Sequence, residues 1–271
     1  MLAMQTESST LLSVYPLAAF QDNYIWCMAY VNQQTQQACC AVVDPGEAQP
    51  VLSELRRRDM TLSAILLTHH HADHVGGVMA LKQAYPDVRV IGIESERIPG
   101  VNQAVTAGQQ VSLPGLDLTF TVLDVPGHTR DHIAFYAKEM LFCGDTLFSV
   151  GCGRLFEGTP AQMHESLQTL AALPGDTRVY CAHEYTLANI QFALQVEPNN
   201  PQLVQYAAWA EQQRKQGLPT LPSRISTELA VNPFLRCTEP GVRARVAAHA
   251  DRRCDDVRHT FAALRQWKDN F

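Results

Sequence analysis

His69, His71, Asp73 and His74 stand together in the run Thr68-His69-His70-His71-Ala72-Asp73-His74. Imidazole and carboxylate are the donor types that hold zinc, iron or manganese. The run follows the short apolar stretch Ala64–Leu67 and precedes a helix-like stretch opened by Gly76-Gly77. On extended chain, residues two apart point to the same side, so His69 and His71 can share one ion. Asp73 and His74 lie where the chain turns into the helix and can face a second point. His70 points the other way and is not expected to be a ligand. A merely solvated loop would give these polar residues no reason to crowd the mouth of a buried strand.

One loop does not complete two sites. Three other strand ends offer further donors: Pro126-Gly127-His128-Thr129, Phe142-Cys143-Gly144-Asp145-Thr146 and Val179-Tyr180-Cys181-Ala182-His183-Glu184. Each is weak alone. Together they place two imidazoles and a carboxylate at the same kind of position, the end of a strand.

The elements that must position these groups are legible in the apolar pattern. Strands are expected at Tyr24–Val31, Ala38–Val43, Ala64–Leu67, Val88–Ile93, Val111–Leu113, Leu116–Val122, His132–Ala137, Met140–Cys143 and Arg178–Cys181. Helices are expected at Gln49–Arg58, from about Gly77 to Ala84 and at Gln162–Leu173. Interleaved strands and helices indicate an α/β protein with layered sheets. After His183 the texture becomes helical, over Thr186–Val196, Pro201–Gln216 and Gly241–Trp267. A domain boundary is therefore expected near residue 183, giving an α/β domain over residues 1–183 and a helical domain over 184–271.

Composition excludes several classes. The 271 residues carry a net charge of -6, a poor balance for binding phosphate backbones. From Arg236 onward eight Arg/Lys face five Asp/Glu, net +3, which leaves -9 for the rest. No run of apolar residues is long enough to cross a membrane. Leu11–Phe20 is too short to span and lacks a basic leader, so the first dozen residues read as a dispensable extension. The eight cysteines form no Cys-x-x-Cys pair and several sit in apolar runs, as expected of buried reduced thiols in a cytoplasmic protein. Ser149 lacks the Gly-x-Ser-x-Gly setting of a serine esterase, and His183-Glu184 lacks the second histidine of an HExxH protease. Phosphate-binding glycine loops are absent.

THHHADH, PGHT, GDTLF and CAHEYT, in that order, resemble the metallo-β-lactamase superfamily. Asp22-Asn23-Tyr24, Val43-Asp44-Pro45-Gly46, the segment Gly151-Cys152-Gly153-Arg154-Leu155-Phe156-Glu157-Gly158 and the helical tail narrow the resemblance to the glyoxalase II family, the hydroxyacylglutathione hydrolases, from about Val14 onward. The resemblance implies an αββα sandwich with a C-terminal helical domain, and makes residues 1–183 the catalytic domain and 184–271 the substrate-binding domain. It implies two divalent metal ions, zinc foremost, with iron or manganese as alternatives. It implies His69, His71 and His128 at one metal, Asp73, His74 and His183 at the other, and Asp145 bridging. Asp73 and Asp145 are then the catalytic carboxylates. The implied reaction is hydrolysis of S-D-lactoylglutathione and related 2-hydroxyacylglutathiones to the hydroxy acid and glutathione, by a hydroxide between the metals. This is the second step of methylglyoxal detoxification.

The resemblance also implies glutathione contacts at Tyr185, Arg265 and Lys268. Arg154 stands where some relatives have Lys, keeping the charge. Phe156 stands where they have Tyr, losing a hydroxyl. Cys152 reads as a packing residue, since a metal-activated water already supplies a nucleophile. Asp44 and Thr129 lie near the segments that would support the ligands, and His132 is expected to brace the fold by hydrogen bonding. His164, His249 and His259 read as surface or structural. The partner expected is a small glutathione thioester, with neither nucleic acid nor membrane, bound by a monomer. The competing readings are a glutathione persulfide dioxygenase with a mononuclear iron, a β-lactamase or lactonase, and a non-catalytic metal-binding relative. The helical tail and the complete donor set favour the hydrolase.

Overall fold

The computed structural model describes residues 12–251, 253–254 and 256–271. The chain first lays down β1 (Ser13–Ala19), β2 (Asn23–Val31), β3 (Ala38–Val43), α1 (Ala48–Arg58), β4 (Thr61–Leu66), α2 (Ala72–Val75), α3 (Val78–Ala84), β5 (Arg89–Gly92) and β6 (Gln103–Ala104). The strands form a six-stranded sheet in sequence order, antiparallel across β1-β2-β3 and parallel from β3 to β6. Next come β7 (Gln110–Ser112), β8 (Thr119–Asp124), β9 (Ile133–Ala137), β10 (Met140–Gly144), β11 (Leu147–Phe148), β12 (Gly151–Cys152), α4 (Pro160–Ala171) and β13 (Arg178–Cys181). The tail holds α5 (Thr186–Val196), α6 (Pro201–Lys215), β14 (Ser223–Arg224), α7 (Ile225–Val231), α8 (Pro240–Ala250) and α9 (Val257–Asp269). The second sheet runs β14-β13-β10-β9-β8-β7, and β11 and β12 make a separate hairpin.

Period-two alternation builds the layers. Along β2, Trp26, Met28 and Tyr30 join Phe120, Phe135 and Phe142 in the core between the sheets. The intervening Ile25 and Cys27 join Val51, Leu55, Val78 and Leu81 in the core under α1 and α3. Burying each large side chain contributes roughly 1.5–3 kcal/mol. α4 adds Met163, Leu167 and Leu170 to the main cluster. Its start is fixed by a reciprocal cap between Thr159 and Gln162, with Pro160 at the first turn.

The sheets bring four strand ends to one edge. β4 ends at the His69–His74 loop, and β8, β10 and β13 end before His128, Asp145 and His183. β8 and β10 are both antiparallel to β9, and β10 is parallel to β13, so their C-terminal ends coincide. Gly144 closes β10 at φ 47°, where a Cβ would lie 2.3 Å from Thr68 Oγ1. Only glycine fits that turn.

Several expectations need revision. The short apolar stretch within Leu11–Phe20 forms a strand that the pattern did not announce, Ser13–Ala19 pairing with β2 along its full length; the first dozen residues, expected to be dispensable, lie outside the described residues up to residue 11. The helical stretch Gly241–Trp267 is two helices, because Asp251 adopts a left-handed conformation that ends α8 and Asp256 caps α9. The tail also contributes a strand to the second sheet, since Ser223 pairs with Val179. α7 and the β11–β12 hairpin are too short to show a period. Phe192, Phe234 and Phe261 of the tail join the same cluster as the inter-sheet core, so hydrophobic packing continues across residue 183.

Candidate metal centre and substrate cleft

The loop after β4 leaves the sheet with His69 buried, then starts α2 with His71 as its first flanking residue. His69, His71 and His128 bring ligand atoms within 4.8 Å of one another, and so do Asp73, His74 and His183. Asp145 sits between the two groups. Its Oδ2 lies 3.3 Å from His128 Nε2, and its Oδ1 lies 3.5 Å from His74 Nε2 and 3.3 Å from His183 Nε2. His71 Nδ1 and His128 Nε2 are 3.0 Å apart.

The back of almost every imidazole is held by a second group, which selects the nitrogen left facing the centre. His74 Nδ1 faces Asp44 Oδ2 at 3.1 Å, and His183 Nδ1 faces Asp22 Oδ1 at 2.8 Å. His128 Nδ1 lies 2.7 Å from the Arg154 carbonyl oxygen, and His69 Nδ1 lies 3.1 Å from Thr68 Oγ1. Asn23 Nδ2 donates to Asp73 Oδ2. Asp44 also accepts from the Thr68 N–H and hydroxyl, so its role is to brace rather than to ligate. It stands at φ 53°, a left-handed conformation that Asp tolerates better than most residues.

His69 Nε2, His74 Nε2 and Asp145 Oδ1 are buried without hydrogen-bond partners. Buried polar atoms are seldom left so, and their place within and between the two donor groups fits divalent cations. The charge balance agrees. Burial opposes the charge of Asp145, yet the His74 and His183 imidazoles hold its carboxyl well below the usual range. Burial also works against the charge of Asp73, but hydrogen bonding to His74 and Asn23 prevails and lowers it. On the other side, burial pushes His69 well below its ordinary value, with His74 and His132 adding to it. His71 and His128 are lowered too, chiefly by burial. Burial opposes the charge of His74 and His183 as well, but Asp145 prevails and raises both. The carboxylates thus hold positive charge on these two rings, beside the neutral imidazoles of His69, His71 and His128, and a bound cation would take the place of those protons.

His132 is not among the converging donors. It stacks on His69 at 4.6 Å, accepts the Asp145 N–H on Nε2, and burial drives it down to about 3. His70 turns toward Asp131, Glu157 and Arg97 instead. Thr129 Oγ1 is buried without a hydrogen-bond partner, so it braces no donor by a hydrogen bond. His249 stacks on Trp267, and His164 lies against Phe261.

A cleft of about 510 Å³ opens over the centre, lined by His71, Asp73, His128, Asp145 and His183 together with Phe148, Arg154, Phe156 and Tyr185. Tyr185 stacks flat on His183 at 4.7 Å, and Phe148 meets both edge-on. Phe156 stands over His71 and His128 and is 62% exposed. Arg265 and Lys268 lie outside this lining. Arg265 is buried, donates to the Cys152 carbonyl and pairs with Asp269, while Arg154 approaches the same Asp269 at 3.7 Å. Lys268 Nζ lies 3.4 Å from the Ala188 carbonyl. Cys152 is buried against Arg265.

Asp22 and Phe148 escaped the reading of the sequence. Asp22 lies 161 positions from the histidine it orients, and no spacing rule spans that separation. Phe148 closes the GDTLF segment, but nothing in the segment tells which way the ring turns.

Two sheets carrying a His/Asp centre at one shared edge define a metal-dependent hydrolase of the metallo-β-lactamase fold. Residues 27–183 match the metallo-beta-lactamase superfamily, and residues 184–271 match the family described as hydroxyacylglutathione hydrolase C-terminus. The chain is 53% identical over 262 residues to a hydroxyacylglutathione hydrolase of Photobacterium profundum, covering 96% of this chain and 100% of the relative. It is 52% identical over 259 residues to one of Aeromonas hydrophila, covering 95% and 99%. The crystal structure of BLEG-1 B3 metallo-beta-lactamase superposes with a TM-score of 0.61 at 22% identity, covering 83% of this chain and 99% of that one. The chain belongs to the hydroxyacylglutathione hydrolase family.

Proposed function

We propose that this enzyme hydrolyses S-D-lactoylglutathione and related 2-hydroxyacylglutathiones to the hydroxy acid and glutathione, the second step of methylglyoxal detoxification. The observation that carries this reading is the set of buried, partnerless ligand atoms beneath a cleft that Tyr185, at the start of the helical tail, helps to wall. His69, His71 and His128 would hold one divalent ion, Asp73, His74 and His183 a second, and Asp145 would serve both. Zinc suits this donor set, and iron and manganese suit it as well. When bound, such a pair lowers the pKa of a shared water toward neutrality and polarises a carbonyl oxygen.

The chain's own residues do the rest. Asp22, Asn23, Asp44 and the Arg154 carbonyl fix the donors before substrate arrives, so little reorganisation accompanies the reaction. Asp73, kept ionised and partly open to the cleft, is placed to accept the water's proton. Phe148, Phe156 and Tyr185 shield the reacting carbonyl from bulk water. The departing thiolate has a pKa of about 8.5 and needs no strong acid behind it.

Glutathione's carboxylates call for cations in an otherwise acidic chain. Arg154 lies on the cleft, and Asp269 links it to Arg265; Arg265 and Lys268, on one helix, would be the anchor further out. A guanidinium offers five donors, so the bonds Arg265 already makes do not exhaust it. A cytoplasmic monomer is consistent with this role, and no helix among the described residues is long and apolar enough to cross a membrane. Hydrolysis of S-D-lactoylglutathione by protein of measured metal content tests the proposal. Turnover that rises with metal loading supports it, and a fully loaded protein that leaves the thioester intact refutes it.

A further inference from the structure

The hairpin of β11 and β12 carries Phe148 into the cleft and leads directly to Arg154. Its turn is built on an unfavourable residue. Val150 is β-branched, fully buried and held at φ 60°, a left-handed conformation that such side chains rarely adopt. A strained turn persists only where its surroundings over-determine it.

Those surroundings come from the tail. Glu228 of α7 is fully buried, and its Oε2 accepts the Val150 N–H at 2.8 Å. Asn232, the residue that ends α7, shares its side-chain amide between the Gly151 carbonyl at 2.9 Å, the Phe148 carbonyl at 3.2 Å and Glu228 Oε2 at 3.0 Å. Asn189 of α5 donates to the Ser149 carbonyl at 3.0 Å. A Cβ on Gly151 would fall 2.5 Å from the Asn189 amide, so the helix and the turn approach as closely as glycine permits. Each backbone polar group named here is thus met by a tail side chain, beside the pairing of Phe148 with Gly151 across the hairpin.

We propose that Glu228, with Asn232 and Asn189, is a positioning element for the substrate cleft: it locks the Val150 turn and so sets Phe148 and Arg154 for the glutathione thioester. None of the three touches a metal donor. The lock therefore acts on how substrate is received and leaves the metal centre unchanged. The inference rests on the substrate reading above for its kinetic consequence but not for the lock itself.

Two readouts on the metal-loaded full chain test it. Hydrogen exchange at the Val150 amide reports the lock without substrate, and steady-state hydrolysis of S-D-lactoylglutathione reports its effect. Glu228→Ala should speed Val150 exchange by about tenfold or more. It should raise KM about tenfold with kcat and metal content little changed. Glu228→Gln, which keeps an acceptor oxygen, should restore both readouts to within about twofold of the parent. If Glu228→Ala does not fold, Asn189→Ala removes a single donor and should raise KM about threefold. An unchanged KM in the folded variants, or a fall in stability with KM unmoved, overturns the positioning role. A parent enzyme that fails to hydrolyse the thioester sinks the substrate reading instead, and Val150 exchange still decides the lock.

Discussion

The two halves of the cleft are prepared in opposite ways. On the metal side, donors are fixed from behind and left without partners in front: Asp22, Asp44 and the Arg154 carbonyl hold the far nitrogens of His183, His74 and His128. On the cationic side, charges are already satisfied within the chain. Asp269 pairs with Arg265, Lys268 lies near a carbonyl, and only Arg154 stands on the cleft. The first half presents buried donor atoms suited to a cation. The second must exchange internal partners for a substrate carboxylate, so its contribution to affinity is the difference between two pairings.

The contrast can be broken most sharply at Asp145. Asp145→Asn removes the charge shared by both donor groups, and turnover should fall on the order of a thousandfold with loss of simultaneous binding of two metals. Metal analysis after dialysis checks this, and retention of two ions at ordinary affinity would remove Asp145 from its bridging place. Asp22→Ala should be milder. It leaves all donors in place but frees the His183 ring, and metal affinity should drop about 10- to 100-fold by competition with a chelator.

On the cationic side, the Arg265→Ala/Lys268→Ala pair should raise KM about tenfold and lower kcat by less than about twofold, the signature of lost uniform binding. Equal KM values in variant and parent would assign both side chains to packing alone. The last effect, on stability and not on turnover, concerns Glu228. Burial pushes its carboxyl up to about 7, above the usual 4.5. A carboxyl raised on folding favours the folded state below its unfolded value, and that contribution is lost as pH rises through about 7. Between pH 5 and 8 the parent should therefore lose up to about 3 kcal/mol of stability relative to Glu228→Gln, read from urea midpoints.

The sequence was more informative about the metal half than about the cationic half. His69, His71, Asp73 and His74 lie on one loop, and His128, Asp145 and His183 each end an apolar run, so type and position together pointed to one edge. The strands of both sheets were legible from their alternation, apart from β1 and the shortest pieces. Asp22 was not legible, because its partner is remote in sequence. Arg265 could be assigned only by family likeness, which shows neither its burial nor its bond to Asp269. The break in the last helical run was also hidden, since it depends on Asp251 adopting a left-handed backbone that its residue type permits but does not require.

Local order alone pointed to the candidate donors, the alternation of apolar faces and the switch to helix after residue 183, because each is a property of neighbours along the chain. Tertiary structure decided which nitrogen each imidazole presents, where Arg265 finds its counter-charge, and how Val150 is held in a conformation it disfavours. Those depend on groups brought together from distant segments, and their energies exist only once the sheets and tail are packed.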